Sequence, residues 1–363
     1  VQNRPRLSDA PGNANFTVAM LSPNVDVRFM EPGANEDLTE RVYSNNVFSQ
    51  NPYFAAYNFR NEDVKNRLIA SGSLRYDITD NLYALYRAGV DHYTIKRTAV
   101  TPFGTAYQPL GSIGETEIRY TQIDQDFLVG YDNQVTDRLN VSAFVGVNGN
   151  SVEQETLSLN GDRFIVPGLE DIGNTENASR SRGYSKRKIG SVYGSAEVSW
   201  DNWAYLTFTG RNDWFSTLSF PGKTTPNDDF YPSISGSVIF SELFDLGDAI
   251  NFLKLRGGYS QVAGGAQDPY QLSLTYQIFG QQHLGQSLGQ INGGNVPNAN
   301  LVAYNKDETE IGVDARFLGN RLSVDLAYYT NLTKNDIVPV TTSVFSGYGS
   351  ALANIGEVEN KGI

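Results

Sequence analysis

Polar and apolar residues alternate along this chain far more often than they recur at helical spacing, which is the signature of half-exposed β-strands. In residues 68–78 the apolar row is Leu68, Ala70, Gly72, Leu74, Tyr76 and Ile78, with Ser71, Ser73, Arg75 and Asp77 behind it. Thr79-Asp80-Asn81 forms a turn, and Leu82, Ala84, Tyr86, Ala88 and Val90 return on the same face. A second hairpin sets Phe127, Val129, Tyr131 and Val135 (with Asn133 as an interruption) against Leu139, Val141, Ala143, Val145 and Val147, around Thr136-Asp137-Arg138. A third sets Ile311, Val313, Ala315 and Phe317 against Leu322, Val324, Leu326 and Tyr328, around residues 318–321. Two further strands carry Pro232, Ile234, Gly236, Val238 and Phe240, then Leu253, Leu255, Gly257 and Tyr259. Short turns fix register, so each turn predicts which residues stand opposite one another.

The stretch WDNWAYLTFTGRNDWF, residues 200–215, holds all three tryptophans of the chain. With a loop of Asp201-Asn202-Trp203, Trp200 pairs with Ala204, Val198 with Leu206, Ala196 with Phe208, and Gly194 with Gly210. Trp200, Leu206, Phe208 and Trp214 then share one face, and Asn212 is the poor fit on it. Ala204 to Trp214 spans about 33 Å of strand. Tilted, that crosses ~25 Å, the height of the apolar band of an outer-membrane barrel. On this reading Trp200 and Trp214 are anchors at opposite membrane interfaces, and Trp203 sits at the turn beside the lower one.

The connections are asymmetric. One end has turns of three or four residues, whereas the other has long polar stretches over roughly 94–122, 151–188, 215–230, 261–307 and 330–352. Long loops count against a compact soluble domain but are expected at the extracellular end of a barrel. Glu197, Arg211, Asp213, Lys254, Arg256, Asp314, Arg316 and Asp325 all lie opposite the apolar rows. A soluble β-sandwich also alternates, with its charges outward, so alternation alone leaves that alternative open.

Composition narrows the picture further. The 363 residues carry a net charge of −12, which argues against nucleic-acid binding. There is no cysteine, which excludes disulfides, thiolate metal sites and thiol nucleophiles. No apolar run is long enough for a membrane-spanning helix, but a barrel strand needs only about ten residues with every second one apolar. The mean hydropathy of −0.36 is therefore compatible with either setting.

Candidate chemistry is thin. His92 and His283 lack partners at metal or triad spacing. Asp228-Asp229 lacks the spaced ligand set of a calcium loop. GVNGN (146–150), Gly264-Gly265 and Gly293-Gly294 lack phosphate-loop spacing. No catalytic residue, metal site or cofactor is expected, and an enzyme is not. Arg211 and Asp213 read as a lumen pair that either meets substrate or braces neighbouring strands. Trp214 and Tyr270 offer flat faces that suit sugar rings. For Trp214 an interface anchor is the simpler reading, and for Tyr270 a loop-packing role. Tyr259 belongs to an apolar row.

Several ordered phrases resemble the SusC/RagA-type TonB-dependent outer-membrane transporters. They are NPYF (51–54), NRLIASGSLRYDITDNL (66–82), SVYGSAEVSWDNWAYLTFTGRNDWFSTL (191–218), FYPSISGSVIFSELF (230–244), LKLRGGYSQVAG (253–264) and ANIGEVENKGI (353–363). The last phrase contains Asn354, Gly356, Asn360 and Gly362, read as strand and turn. The resemblance covers residue 51 onward, whereas residues 1–50 read as loop and partial strand.

The resemblance implies an all-β fold: an antiparallel transmembrane barrel segment of about 10–12 strands, taken from a larger plugged barrel of about 22. It places the plug, its TonB-contacting box and the final strands outside this chain. It also implies import of oligosaccharides or oligopeptides, with a SusD-like surface lipoprotein as lid and the TonB-ExbB-ExbD complex acting through the plug. The setting would be the outer membrane of a Gram-negative, Bacteroidota-like bacterium, with outer-membrane lipid around the wall. A secreted glycan-binding or adhesion sandwich and a passive porin-like channel are the rival readings.

Overall fold

The computed structural model describes residues 2–3, 10–247, 249–292 and 294–363; of the glycine pair 293–294, the first lies outside them. In chain order the strands are β1 (Gln2–Asn3), β2 (Arg60–Asp77), β3 (Leu82–Thr101), β4 (Ser112–Gln134), β5 (Leu139–Phe164), β6 (Thr175–Trp200), β7 (Ala204–Phe215) and β8 (Asp228–Ile239). They continue with β9 (Ile250–Gly264), β10 (Tyr276–His283), β11 (Gln286–Ile291), β12 (Asn295–Val296), β13 (Tyr304–Phe317), β14 (Leu322–Thr341) and β15 (Ser350–Gly362). Three short helices interrupt them: α1 (Ala14–Ala19), α2 (Pro52–Asn58) and α3 (Phe240–Leu243).

A single sheet of 13 strands takes the order β1-β2-β3-β4-β5-β6-β7-β8-β9-β13-β14-β15-β12, and β10-β11 form a separate hairpin. Two of the 13, β1 and β12, are two residues long, so the strand count agrees with the expectation. Neighbours in this order follow the chain almost throughout, as short turns require.

The registers read from the turns hold. Trp200 stands opposite Ala204, Val198 opposite Leu206, Ala196 opposite Phe208, and Gly194 opposite Gly210. Phe317 pairs with Leu322 and Ile311 with Tyr328. Ile234 faces Tyr259, and Val238 faces Leu255. In the two remaining hairpins the closing bonds run from Ile78 N to Leu82 O and from Val135 N to Leu139 O, both 2.8 Å. Asp201 and Asn202 take positive φ of 49° and 61°, the left-handed geometry that lets Trp203 N close on Trp200 O at 3.1 Å.

The apolar rows are not covered. Leu74, Tyr76, Phe208, Trp214, Leu255 and Leu326 are all exposed. A sandwich would bury them against a second sheet, so that alternative falls. No helix among the described residues is long and apolar enough to cross a membrane, which leaves crossing by strands untouched.

The long polar stretches are a correction. The connection expected at 94–122 is strand up to Thr101 and again from Ser112, and that at 151–188 is strand up to Phe164 and again from Thr175. The connection at 330–352 shrinks to residues 342–349, and 261–307 holds β10, β11 and β12. The ladder continues here with polar side chains on both faces, and a backbone ladder needs no apolar row to form. Sequence alternation therefore ends before the strand does.

The chain divides into two compact units. The first comprises Val1–Ile69, Asp91–Thr121 and Glu153–Ser185. Asn13 and Asn51 cap α1 and α2; Asn51 Oδ1 accepts from Tyr53 N at 3.0 Å, with Pro52 at the first helical position. NPYF is thus a helix start, and the first long strand opens at Arg60. The buried Glu40 carboxylate accepts from Asn51 N at 2.6 Å and Ala106 N at 2.9 Å, tying residues 40–51 to the β3–β4 loop. Val100, Ile113 and Phe164 form its small core.

The second unit comprises Ala70–Val90, Gln122–Val152 and Lys186–Ile363. Its core lies beyond the end of β7: Phe215, Leu218, Ala266, Leu272, Leu301 and Ala303, with Ile189 and Ile337 packed against them. Lys223 staples this region. Its ammonium donates to Leu218 O at 2.7 Å, Pro226 O at 3.0 Å and Leu301 O at 2.7 Å. Asn354 adds a bracket, accepting from Val302 N at 3.0 Å and donating to Val302 O at 2.9 Å and Asn335 O at 2.8 Å. Asn354, Gly356, Asn360 and Gly362 all lie in β15.

Candidate functional site

The functional candidates lie on the face opposite the apolar rows, in the second unit. Arg211 Nε donates to Asp213 Oδ1 at 2.7 Å, and Arg211 Nη2 donates to Ser191 Oγ at 2.7 Å. The Tyr231 hydroxyl donates to the other Asp213 oxygen. Asp213 and Ser191 are buried, at 6% and 4% exposure, although they project from a single sheet. Three neighbouring strands, β6, β7 and β8, are thus tied through the Arg211–Asp213 pair, Arg211 reaching Ser191 on β6 and Asp213 reaching Tyr231 on β8.

The network continues sideways. The Arg211 guanidinium lies 5.6 Å from the Tyr193 ring centroid, and the Tyr193 hydroxyl donates to Asp126 Oδ1. Asp126 Oδ2 receives Arg87 Nε at 3.0 Å and Nη2 at 2.6 Å. A belt of alternating cation, carboxylate and phenol therefore crosses from β3 to β8. A second group sits farther along the sheet, where Arg256 donates to Glu310 at 3.3 Å and Asp325 at 3.1 Å. Each buried anion keeps a cation or hydroxyl donor, the condition under which such charges are tolerated. The belt can bind and orient, but it presents no nucleophile aimed at a base.

Tyr270 does not join the belt. It lies in the β9–β10 connection, 54% exposed, with a positive φ of 68° that is unusual for a bulky residue. It lines a concavity with Pro269, Gln271, Ser273, Thr275, Asn292, Gly294, Asn295 and Pro297, none of them charged. Asn295 Nδ2 donates to Gln271 Oε1 at 3.3 Å. Ala266 and Leu272 on either side are buried, so the exposed ring stands on a packed base.

The other candidates have ordinary places. Trp200 and Trp214 stand on one apolar row, 44% and 42% exposed, near opposite ends of the hairpin. Trp203 is half-buried, and its carbonyl accepts from Ile239 N at 2.7 Å. Asn212, the misfit of that row, donates to Asp228 Oδ2 at 3.1 Å. His92 Nδ1 bonds with Thr121 Oγ1 at 2.8 Å, and His283 is exposed at the end of β10. The Tyr259 hydroxyl reaches Asp307 at 3.2 Å.

A family model described as "TonB dependent receptor-like, beta-barrel" matches residues 6–363. The chain belongs to the TonB-dependent receptor β-barrel family. It is 29% identical over 241 residues to TonB-dependent receptor P26 of Formosa agariphila, covering 64% of this chain and 23% of that protein. With TonB-dependent receptor P3 of the same organism it shares 25% over 345 residues, covering 90% of the chain and 33% of the relative. The chain therefore spans a third or less of the length of these relatives. Among solved structures, the RagAB peptide transporter superposes with a TM-score of 0.76 at 18% identity, covering 86% of this chain and 35% of that one. The RagAB importer in its open-open state gives 0.75 over 90% of this chain and 36% of that one, also at 18% identity. At that identity the likeness is one of fold.

TonB-dependent receptor barrels belong to the outer membrane. The chain is part of a receptor wall and not an enzyme. Sequence reading reached Arg211 and Asp213 but missed Ser191, Arg87, Asp126, Tyr193 and Tyr231. A signal was present for the two tyrosines. Each is an aromatic residue out of step with the apolar row of its strand, with Ser191 and Ser195 two positions either side of Tyr193 and Asp229 and Ser233 two positions either side of Tyr231.

Proposed function

We propose that this chain forms part of the wall of an energised outer-membrane importer for oligosaccharides or oligopeptides. One observation carries the reading: a single sheet exposes an apolar row on one face and holds a hydrogen-bonded charged belt on the other. Such a sheet suits lipid on one side and a polar lumen on the other. Trp200, Trp203 and Trp214 serve as interface anchors. Arg211 and Asp213 stiffen the lumen wall where it meets plug or cargo, and Tyr270 stacks on cargo at the loop end. RagAB, which shares the fold, is described as a peptide importer. That supports import in partnership with a SusD-like surface lipoprotein and the TonB-ExbB-ExbD complex, in a Bacteroidota-like bacterium.

Uptake of labelled oligosaccharide and oligopeptide pools by cells with and without the intact receptor tests this. Receptor-dependent uptake that stops when TonB is removed is expected. Uptake that persists without TonB would instead make the receptor a passive channel.

A further inference from the structure

The loop end of the second unit contains a long stretch without charge. Residues 269–305 hold no Asp, Glu, Lys or Arg, the longest such run in a chain that is 19% charged. Burial does not account for it. Leu274, Tyr276, Ile278, Leu284 and Leu288 are exposed, and so are Gln277, Gln286 and Gln290. Exposed segments ordinarily carry charge, so its exclusion here points to what this surface meets.

The run folds around the concavity that Tyr270 lines, with one lip before β10 and the other after β11. The lips are tied to each other. Asn292 N donates to Thr275 O at 2.9 Å, and Asn292 Nδ2 donates to Thr275 Oγ1 at 3.4 Å. Asn295 Nδ2 donates to Gln271 Oε1 at 3.3 Å, and the Ser350 hydroxyl of β15 donates to Asn295 Oδ1. The amide side chains are therefore held in place before anything binds. Gln271 Nε2 and the Ser273 hydroxyl keep no partner among the described residues, which leaves hydrogen-bonding capacity at the wall. The space measures about 270 Å³, suited to a ring-sized group and not to a second protein.

Two properties select the occupant. A carboxylate, sulfate or ammonium entering the concavity would shed water and meet no lining charge, which is costly. Sugar hydroxyls both donate and accept, and Asn and Gln side chains offer both functions in return. Beside them stands the exposed Tyr270 ring, whose flat face suits the C–H patches of a sugar.

We propose that this concavity is a subsite for an uncharged oligosaccharide, and that it discriminates against anionic glycans and peptides. The proposal deepens the import reading and rests on it for a role in uptake, but binding is measured apart from uptake.

The test uses the intact receptor, purified in mild detergent. Neutral malto-, manno-, xylo- and galacto-oligosaccharides are screened beside oligogalacturonates, sulfated galactans and peptides with blocked termini. At least one neutral glycan should bind, and no anionic glycan or peptide should bind as tightly. Two variants then locate the site, with heat-modifiable electrophoretic mobility reporting a folded barrel in each. Beyond its chain neighbours, a Cβ at Gly294 would meet only Asn292 Oδ1 within 4 Å among the described residues, at 3.6 Å, so Gly294→Leu has open space to fill. It should abolish the binding. Gln271→Glu keeps an oxygen for Asn295 but replaces the free amide donors with charge, and should weaken binding about tenfold. Equal binding by wild type and Gln271→Glu would overturn the proposal. So would tighter binding of anionic glycans or blocked peptides, or no binding of any neutral glycan. Neutral-glycan binding that Gly294→Leu removes, without TonB-dependent uptake of the same glycan by cells, would sink the import reading and leave the subsite standing.

Discussion

Tyr193 on β6 reaches across β5 to donate its hydroxyl to Asp126 on β4. The intervening strand permits this because residue 146 is glycine. A Cβ there would lie 2.8 Å from the Tyr193 ring and 2.9 Å from Phe127 O. Gly146→Val should lift the ring, break the phenol–carboxylate bond and destabilise the barrel by roughly 1–3 kcal/mol. Urea midpoints read by heat-modifiable mobility check this, and an unchanged midpoint would show that the ring can move aside freely.

Removing Arg211 should do more than removing an exposed cation. Asp213 is 6% exposed and would keep only the Tyr231 hydroxyl. Arg211→Leu should cost about 2 kcal/mol, because an unpaired buried carboxylate is expensive while Arg211 itself is partly solvated. Asp213→Asn in the Arg211→Leu background should restore part of that loss. A double-mutant cycle on unfolding midpoints measures the coupling, and additive effects would contradict the contact.

Tyr270 separates wall from path. At a φ of 68° glycine has no steric cost, so Tyr270→Gly keeps the loop and stabilises it slightly, by less than about 1 kcal/mol. On the proposed function, cargo uptake falls several-fold while the unfolding midpoint holds. Unchanged uptake would confine Tyr270 to packing.

Lys223 gives a pH signature. Burial pushes its ammonium below the ordinary lysine value. As pH falls through the ordinary value, the unfolded chain takes up its proton first, and the folded chain follows only at the depressed value. Loop-end stability therefore rises with pH across that alkaline window and is flat below it. Lys223→Met should abolish the slope and, by losing three carbonyl contacts, raise proteolytic nicking of residues 216–227 and 297–303. A slope surviving in the variant would assign the titration to another group.

Asn354 mimics a peptide unit, closing both backbone groups of Val302. Asn354→Ala leaves those groups and Asn335 O short of a partner, and about 2 kcal/mol of local protection should go. Hydrogen exchange at Val302 N reads it directly. Protection equal to wild type would show that the bond is dispensable.

What the sequence disclosed and what it withheld follow one physical division. The pairing of Trp200 with Ala204 was legible because a three-residue turn and an apolar row act locally. The reach of β5 to Phe164 and of β6 back to Thr175 was not, since there both faces are polar and the backbone alone sustains the ladder. Arg211 and Asp213 were visible two positions apart, but Asp126 and Tyr193 are 67 residues apart and meet only through sheet order. The capped turns α1 and α2 are too short for a helical period to show, although Asn51-Pro52 carried the capping signal.

The short-turn end of the sheet has its own mechanics. Asp132 N bonds Asn81 O at 2.9 Å, Asp201 N bonds Arg138 O at 2.6 Å, Ile239 N bonds Trp203 O at 2.7 Å, and Leu318 N bonds Ala249 O at 3.1 Å. Each hairpin is thereby fastened to its neighbour at the tip as well as along its length. A force on one strand is passed along this hem, so a hairpin cannot peel away alone; the rim must tear as a row or hold as one.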